Sequence, residues 1–178
     1  DDGAEAAGAS ALRAALEDVP WQDLEDLPAD MMRRYLDSSF EADGHKVRFD
    51  DVSLARAAVK YGAAVAHVAR LYRHLRVAMG ERDFEVEVSV DETERRTTHA
   101  QHVYISMELR RLGVRWMSLA PRYVGRFEKG VDYMGDVAGF EDGIVHCYFS
   151  ISSHDAALRR AVCARLATQE RVQTECLS

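Results

Sequence analysis

The stretch "FEVEVSVDETERRTTHAQHVYISMELRRLGVRWMSLAP", residues 84–121, carries the clearest structural signal in the chain. Apolar and polar side chains alternate over 84–90, and this period of two predicts a β-strand. A helix follows through Leu112, and a second strand is predicted over 114–121. A strand, a helix and a strand joined this closely almost always give parallel strands with a right-handed crossover. The sequence therefore predicts an α/β fold.

The longest predicted helix precedes this unit and covers residues 52–79. Asp51 or Ser53 is expected to cap its start, and Gly80 is expected to end it. For the helix inside the strand–helix–strand unit, the expected cap is one of two adjacent threonines, Thr97 or Thr98. The other predicted elements are a helix over 10–17, a helix from Pro28 to Leu36, a turn at Asp43-Gly44 leading to a short strand by residue 49, a strand over 143–151 and a helix over 155–168.

The alternation over 84–90 is unusual for a parallel sheet, whose strands are normally covered on both faces and read as continuous apolar runs. A closed barrel removes the conflict, since one face of each strand packs on helices and the other points to the barrel axis. The strand then belongs to a TIM-like (β/α) barrel, of which this chain supplies a part. The alternative is an edge strand with one face in water. The acidic or polar face consists of Glu85, Glu87, Ser89 and Asp91.

Candidate site residues lie where the two predicted parallel strands end. Barrel enzymes keep their active sites at the carboxyl ends of the strands. Asp91 and Glu92 end the first strand, and Arg122 follows the second. Arginine has a planar fork that fits a carboxylate, and Glu128 in the next loop could ligate a divalent cation. The alternatives are a surface arginine and a solvated run of charges.

Composition excludes several classes of partner. The 178-residue chain has a formal net charge of −7 at pH 7, which argues against a nucleic-acid or anionic-membrane surface. It contains no apolar run long enough to span a bilayer. The three cysteines are widely spaced and contain no CxxC pair, so reduced cysteines in a cytoplasmic protein are expected. The sequence has no dinucleotide or P-loop fingerprint.

Three segments resemble the tagaturonate epimerases, also called hexuronate C4-epimerases. They are "AAVKYGAAVAHVARLYRH" (57–74), "FEVEVSVDET" (84–93) and "ELRRLGVRWMSLAPRYVGRFEKGVDYMGD" (108–136). The resemblance covers about residues 21–141, and residues 142–178 depart from the family's pattern. It therefore divides the chain into an Ala-rich segment (1–19), a barrel segment (20–141) and a divergent segment (142–178), as in an incomplete or altered copy.

The resemblance implies an isomerase that interconverts D-fructuronate and D-tagaturonate, which differ at C4. A carbonyl at C2 does not acidify the C4 proton, so retro-aldol cleavage and re-addition, assisted by a divalent metal ion, is the expected route. The alternative route is transient oxidation at C4, which would need a nicotinamide site, and the sequence has no fingerprint of one. By the resemblance, Glu92 acts as acid/base with Asp91 in support. Arg122 and Glu87 are the candidate contacts to the small-molecule hexuronate, and Glu128 is the candidate metal ligand.

Two alternatives remain open at this point. One is a catalytically incomplete fragment, whose exposed barrel edges would favour association with another chain and so allow a homo-oligomer. The other is an aldolase-like lyase that performs the retro-aldol half of the reaction. Whether the chain is an active enzyme is therefore not decided by its sequence.

Overall fold

A computed structural model describes residues 8–42, 45–90, 92–123, 125 and 135–136 of the chain. Within these residues it contains four helices and four short strands. In chain order they are α1 (Ala9–Glu17), α2 (Pro28–Leu36), β1 (Ser39–Ala42), β2 (His45–Arg48), α3 (Asp51–Met79), β3 (Glu87–Val90), α4 (His99–Arg111) and β4 (Ser118–Pro121). The strand expected over 143–151 and the helix expected over 155–168 lie outside the described residues.

The central element is α3, which starts at a reciprocal cap. The Ser53 backbone N–H donates to Asp50 Oδ1 at 2.7 Å, and the Asp50 N–H donates to Ser53 Oγ at 3.0 Å. The expectation that Asp51 or Ser53 is the N-cap was wrong. The N-cap is Asp50, one residue before Asp51, and Ser53 is its partner three residues further along the chain. Gly80 ends the helix with φ of 59°, as expected.

One glycine lets α3 lie against the N-terminal segment. A Cβ at Gly62 would come within 2.9 Å of Val19 Cγ1 and 3.6 Å of Leu24 Cδ1. Val19 and Leu24 are both buried, so the connection between α1 and α2 packs directly on the middle of α3. Although α3 has 29 residues, no helix in the described part of the chain is long and apolar enough to cross a membrane.

The predicted strand–helix–strand unit is present. Strands β3 and β4 are parallel, with Glu87 opposite Ser118 and Val90 opposite Pro121. Thr98 is the cap of α4. Both strands are shorter than the predicted 84–90 and 114–121. The residues before Met117 form the connection from α4 to β4, so they do not extend the pairing of β4 with β3.

The alternation of side chains along β3 is also present. Val88 is buried at 4% exposure, whereas Glu85, Glu87 and Ser89 are exposed. The apolar side of the strand therefore packs on the helical layer. Closure into a TIM-like barrel stays a prediction, since the described residues contribute two parallel strands.

Strands β1 and β2 form an antiparallel pair, with Ser39 opposite Arg48 and Phe40 opposite Val47. The sequence predicted the second strand but not β1. The ring of Phe40 lies 5.5 Å from that of Tyr35 and 5.7 Å from that of Phe49, measured between centroids. These aromatic contacts attach the pair to α2 and the core.

A buried ionic cluster joins α4 to the N-terminal segment. Its centre is Glu108, which is 1% exposed. Its carboxylate accepts hydrogen bonds from Tyr35 Oη at 2.8 Å and from Arg111 Nη2 at 2.7 Å, and Arg34 Nη2 lies 3.4 Å away. Asp26 completes the cluster by pairing with Arg34. The cluster lies at the C-terminal end of α4, away from the carboxyl ends of β3 and β4.

Candidate functional site

The carboxyl ends of β3 and β4 lie side by side. Val90 and Pro121 are opposite each other in the last register position of the pair. Glu92 lies two residues beyond Val90, and Arg122 directly follows Pro121. Because neighbouring strands are only about 4.8 Å apart, the chain segments that carry Glu92 and Arg122 leave the sheet at the same edge.

Thr97 connects these two segments by hydrogen bonds. Its backbone N–H donates to the Arg122 carbonyl oxygen at 2.9 Å. Its hydroxyl oxygen accepts from the Arg122 backbone N–H at 3.1 Å. Both backbone polar groups of Arg122 are thus bonded to one threonine, which fixes the path of the chain as it leaves β4.

Helix α3 supports the same region from behind. The hydroxyls of Tyr61 and Thr97 are 2.9 Å apart, and Tyr61 is 2% exposed. Lys60 is 5% exposed and donates from Nζ to the Arg95 carbonyl oxygen at 3.3 Å. The Thr93 hydroxyl donates to that same oxygen at 2.8 Å. The loop between Glu92 and α4 is therefore held by three side-chain hydrogen bonds, two from α3 and one from Thr93 within the loop.

The predicted site residues are placed differently from one another. Glu92 is exposed and Arg122 is half-buried at the edge where the strands end. Glu87 lies at the start of β3, about 10 Å from the end of the strand at the usual rise per residue. Asp91 and Glu128 lie outside the described residues. The structure thus brings the segments of Glu92 and Arg122 together and leaves Glu87 further down the exposed face.

Most of the chain matches a known protein family. Residues 3–154 match the model of the UxaE tagaturonate epimerase family. The chain belongs to the tagaturonate epimerase family. The match extends beyond the segment 21–141 at both ends, so it includes part of the region that looked divergent in the sequence.

Two relatives, one of them in two crystal structures, illustrate the similarity. The tagaturonate/fructuronate epimerase of Thermotoga maritima is 45% identical over 109 residues, covering 61% of this chain and 22% of that protein. The native crystal structure of fructuronate-tagaturonate epimerase UxaE from Cohnella laeviribosi superposes with a TM-score of 0.75 at 29% identity, covering 88% of this chain and 31% of that one. A complex of that enzyme with two glycerol molecules gives 0.74 at 30% identity, covering 85% of this chain and 30% of that one.

The chain therefore spans less than a third of the length of these epimerases. Within the described ranges, no group of three or more His, Cys, Asp or Glu side chains is placed to hold a metal ion. The described residues do not form a complete ligand set for the divalent metal expected from the family resemblance.

A cleft of about 890 Å³ lies at the opposite end of the sheet, where β3 and β4 begin. Its charged lining is mixed, with arginines 76, 82 and 115 beside acidic residues 81, 83 and 85. Active sites of barrel enzymes are at the carboxyl ends of the strands. The edge with Glu92 and Arg122 is therefore the better candidate for a functional site.

Sequence reasoning missed the residues that hold this edge in place. Thr97 was considered only as a helix cap, and Lys60 and Tyr61 only as residues within the predicted helix over 52–79. A signal was present, since Lys60 interrupts an otherwise small and apolar stretch of α3, "AAVKYGAAVA" (57–66). A buried lysine needs a polar partner, and here the partner includes the loop that follows β3.

Proposed function

We propose that the protein interconverts D-fructuronate and D-tagaturonate by inverting the configuration at C4. The observation that carries this proposal is the family match over residues 3–154, which includes both strand ends with Glu92 and Arg122. In the same proposal, β3, α4 and β4 form one unit of a TIM-like barrel. Their carboxyl ends then contribute to the barrel mouth, where such enzymes bind substrate.

The chemistry assigns separate roles to Glu92 and Arg122. Glu92 takes the proton of the C4 hydroxyl, the C4–O electrons form an aldehyde, and the C3–C4 bond breaks. The electron pair of that bond forms the C2–C3 enediolate, with the negative charge on the former carbonyl oxygen. The aldehyde turns its other face, the bond forms again, and Glu92 returns the proton to the C4 oxygen.

Arg122 suits the part of the substrate that must not leave during this rotation. After cleavage, the substrate carboxylate is on the three-carbon aldehyde fragment. A guanidinium that holds this carboxylate through two hydrogen bonds lets the aldehyde rotate about the C4–C5 bond while the fragment stays in the site. Loss of this grip would favour release of three-carbon products.

A divalent cation is part of the proposal. When bound, it would stabilise the negative charge of an enediolate. Glu128 is the proposed ligand of the cation, Asp91 is proposed to support Glu92 as acid/base, and Glu87 is the proposed further contact to the sugar. Treatment with EDTA, followed by addition of single divalent metals, tests the requirement. Full turnover after exhaustive chelation would remove the cation from the proposal.

The decisive experiment incubates the purified chain with D-fructuronate and divalent metal, and follows the products by ¹³C NMR. Formation of D-tagaturonate supports the proposal. Accumulation of three-carbon products instead indicates an aldolase-like lyase. Absence of both indicates a catalytically incomplete fragment. This outcome is included because the chain covers 31% of the Cohnella enzyme.

The same reaction in D₂O tests the route. Retro-aldol cleavage keeps the hydrogen on C4 throughout, because it becomes the aldehyde hydrogen. The product should therefore carry no deuterium at C4. Incorporation of solvent deuterium at C4 would contradict the retro-aldol route and indicate direct deprotonation.

A further inference from the structure

We propose that Thr97 is a positioning residue that fixes Arg122 for binding of the substrate carboxylate. The inference rests on the proposed epimerase function and adds to it a residue without a direct role in bond breaking. Its basis is the set of three hydrogen bonds around Thr97, which link the loop after β3, the start of the chain after β4, and helix α3.

Arg122 is held through both of its backbone polar groups. Its N–H and its carbonyl oxygen are both bonded to Thr97, at 3.1 Å and 2.9 Å. A residue whose two backbone groups bond to one partner has a fixed Cα position and a fixed direction of its Cα–Cβ bond, from which the side chain starts. Arg122 directly follows Pro121, the last residue of β4, so this fixation acts at the strand end.

Thr97 is itself held by a hydrogen bond to helix α3. Its hydroxyl oxygen accepts the Arg122 N–H and is also 2.9 Å from the Tyr61 hydroxyl. A threonine hydroxyl has one donor and two acceptor sites, so it can make both bonds at once. Tyr61 is 2% exposed on α3, which anchors the threonine to a rigid, packed element.

The segment that follows Glu92 is also held by hydrogen bonds. Residues 93–97 form the connection between Glu92 and α4, and this connection is held at the Arg95 carbonyl oxygen by Lys60 at 3.3 Å and by Thr93 at 2.8 Å. The anchors of Glu92 and Arg122 thus lie in the same short segment, 93–97, and both are bonded to neighbouring residues of α3, Lys60 and Tyr61. A shift of about 1 Å between reacting groups can cost up to about 100-fold in rate, so a shared anchor for acid/base and carboxylate binder has a functional consequence.

The test compares three variants of the full chain. Thr97→Val keeps the size and β-branching of the side chain but removes the hydroxyl. Thr97→Ser keeps the hydroxyl. Thr98→Val is the matched control, because Thr98 caps α4 and its hydroxyl accepts from the Gln101 N–H at 3.3 Å. Circular dichroism melting checks that each variant is folded.

The first measurement is amide hydrogen exchange at Arg122 by NMR, which does not depend on turnover. We expect exchange to become about 10-fold faster in Thr97→Val, corresponding to loss of one hydrogen bond of ordinary strength. Thr97→Ser and Thr98→Val should stay within about threefold of the unmodified protein. Unchanged exchange in Thr97→Val overturns the inference.

The second measurement separates KM from kcat for D-fructuronate. Thr97→Val should raise KM by about 10-fold or more and reduce kcat less, since ground-state and transition-state binding of the carboxylate both weaken. Thr97→Ser should restore KM, and Thr98→Val should leave it unchanged. Equal kinetics in Thr97→Val and the unmodified protein overturns the inference. No turnover in the unmodified protein contradicts the proposed function instead, and Arg122 exchange then decides whether Thr97 holds this strand end.

Discussion

Two buried tyrosines show how much depends on a single hydrogen bond. Tyr35 and Tyr104 are both 0% exposed, and their ring centroids are 5.7 Å apart. The Tyr35 hydroxyl donates to the Glu108 carboxylate at 2.8 Å. The Tyr104 hydroxyl has no hydrogen-bond partner among the described residues. Burial, followed by the charge of Glu108, raises the pKa of both tyrosines well above the usual value, so both hydroxyls stay protonated.

The same substitution should therefore have opposite effects at these two positions. Tyr35→Phe removes a donor from the buried Glu108 carboxylate and should lower the free energy of unfolding by about 1–3 kcal/mol. Tyr104→Phe removes an unsatisfied hydroxyl and should leave stability unchanged or raise it by about 1 kcal/mol. Urea unfolding followed by circular dichroism measures both. Similar losses in the two variants would contradict the difference in hydrogen bonding.

At the candidate site, the residue that tests the chemistry is Glu92. Glu92→Gln preserves the shape of the side chain and removes the carboxylate that takes the C4 hydroxyl proton in the proposed mechanism. Turnover of D-fructuronate should fall by at least about 100-fold, with no change in the melting curve because Glu92 is exposed. Glu81→Gln, at the other end of the sheet, is the control and should keep full activity. Ordinary turnover in Glu92→Gln would rule out the assignment.

At the scale of the element, α3 depends on its reciprocal cap. The Ser53 backbone N–H and hydroxyl, which bond to Asp50, hold the pKa of this carboxyl below its usual range. A carboxyl whose pKa is lower in the folded state contributes stability at neutral pH. That contribution is lost as the pH falls below about 4, through the folded-state pKa.

The expected consequence is a pH-dependent penalty for removing the cap. Asp50→Ala should cost about 1 kcal/mol of unfolding free energy at pH 7. The cost should shrink when the comparison is repeated at acidic pH, below about 4, because protonation of Asp50 in the unmodified protein removes the charged acceptor. Asp50→Ser should retain most of the stability at both pH values, because serine also caps helices. A penalty that is independent of pH would contradict a role for the ionised carboxylate.

Local signals predicted the helices well and the strands less well. Capping residues, Gly80 and the helical spacing of apolar side chains are all properties of neighbouring residues, so α3 was placed to within one residue. The strands depend on partners distant in sequence. The pairing of β3 with β4 begins only near Met117, whose N–H donates to the Val86 carbonyl oxygen at 2.7 Å. No pattern within 84–121 could show that 114–116 would serve as a connection.

At the scale of the whole molecule, the described residues share one core. Buried side chains run without interruption from Leu12 of α1 to Leu119 of β4, by way of α3 and α4. The two tryptophans lie near its two sides and pack on it, Trp21 beside the N-terminal helices and Trp116 before β4. Such a core should unfold as one unit.

The two tryptophans allow a direct measurement of this cooperativity. Trp116→Phe leaves Trp21 as the fluorescent reporter, and Trp21→Phe leaves Trp116. In each variant, the urea transition seen by fluorescence should coincide with the one seen by circular dichroism. A fluorescence transition that precedes the loss of helix in either variant would show that its side of the molecule unfolds separately.

From the sequence, the candidate site could be predicted only where it depends on the position at which each strand ends. Alternation along 84–90 and its position before a helix placed Glu92 at a strand end, and the next strand placed Arg122 there too. The contacts of Thr97 could not be inferred, because they join residues 36 and 25 positions apart. The sequence thus predicted which side chains reach the edge, but not what holds them.

The ionic cluster around Glu108 also limits how the sequence can change during evolution. Loss of Glu108 alone would leave the guanidinium groups of Arg34 and Arg111 without their buried counter-charge, which is strongly destabilising, whereas exchange of the whole set for apolar side chains is often tolerated. Single substitutions at Asp26, Arg34, Glu108 or Arg111 should therefore be rare among relatives, and changes should occur together. Co-variation of these four positions would be the trace that the cluster leaves in the family's history.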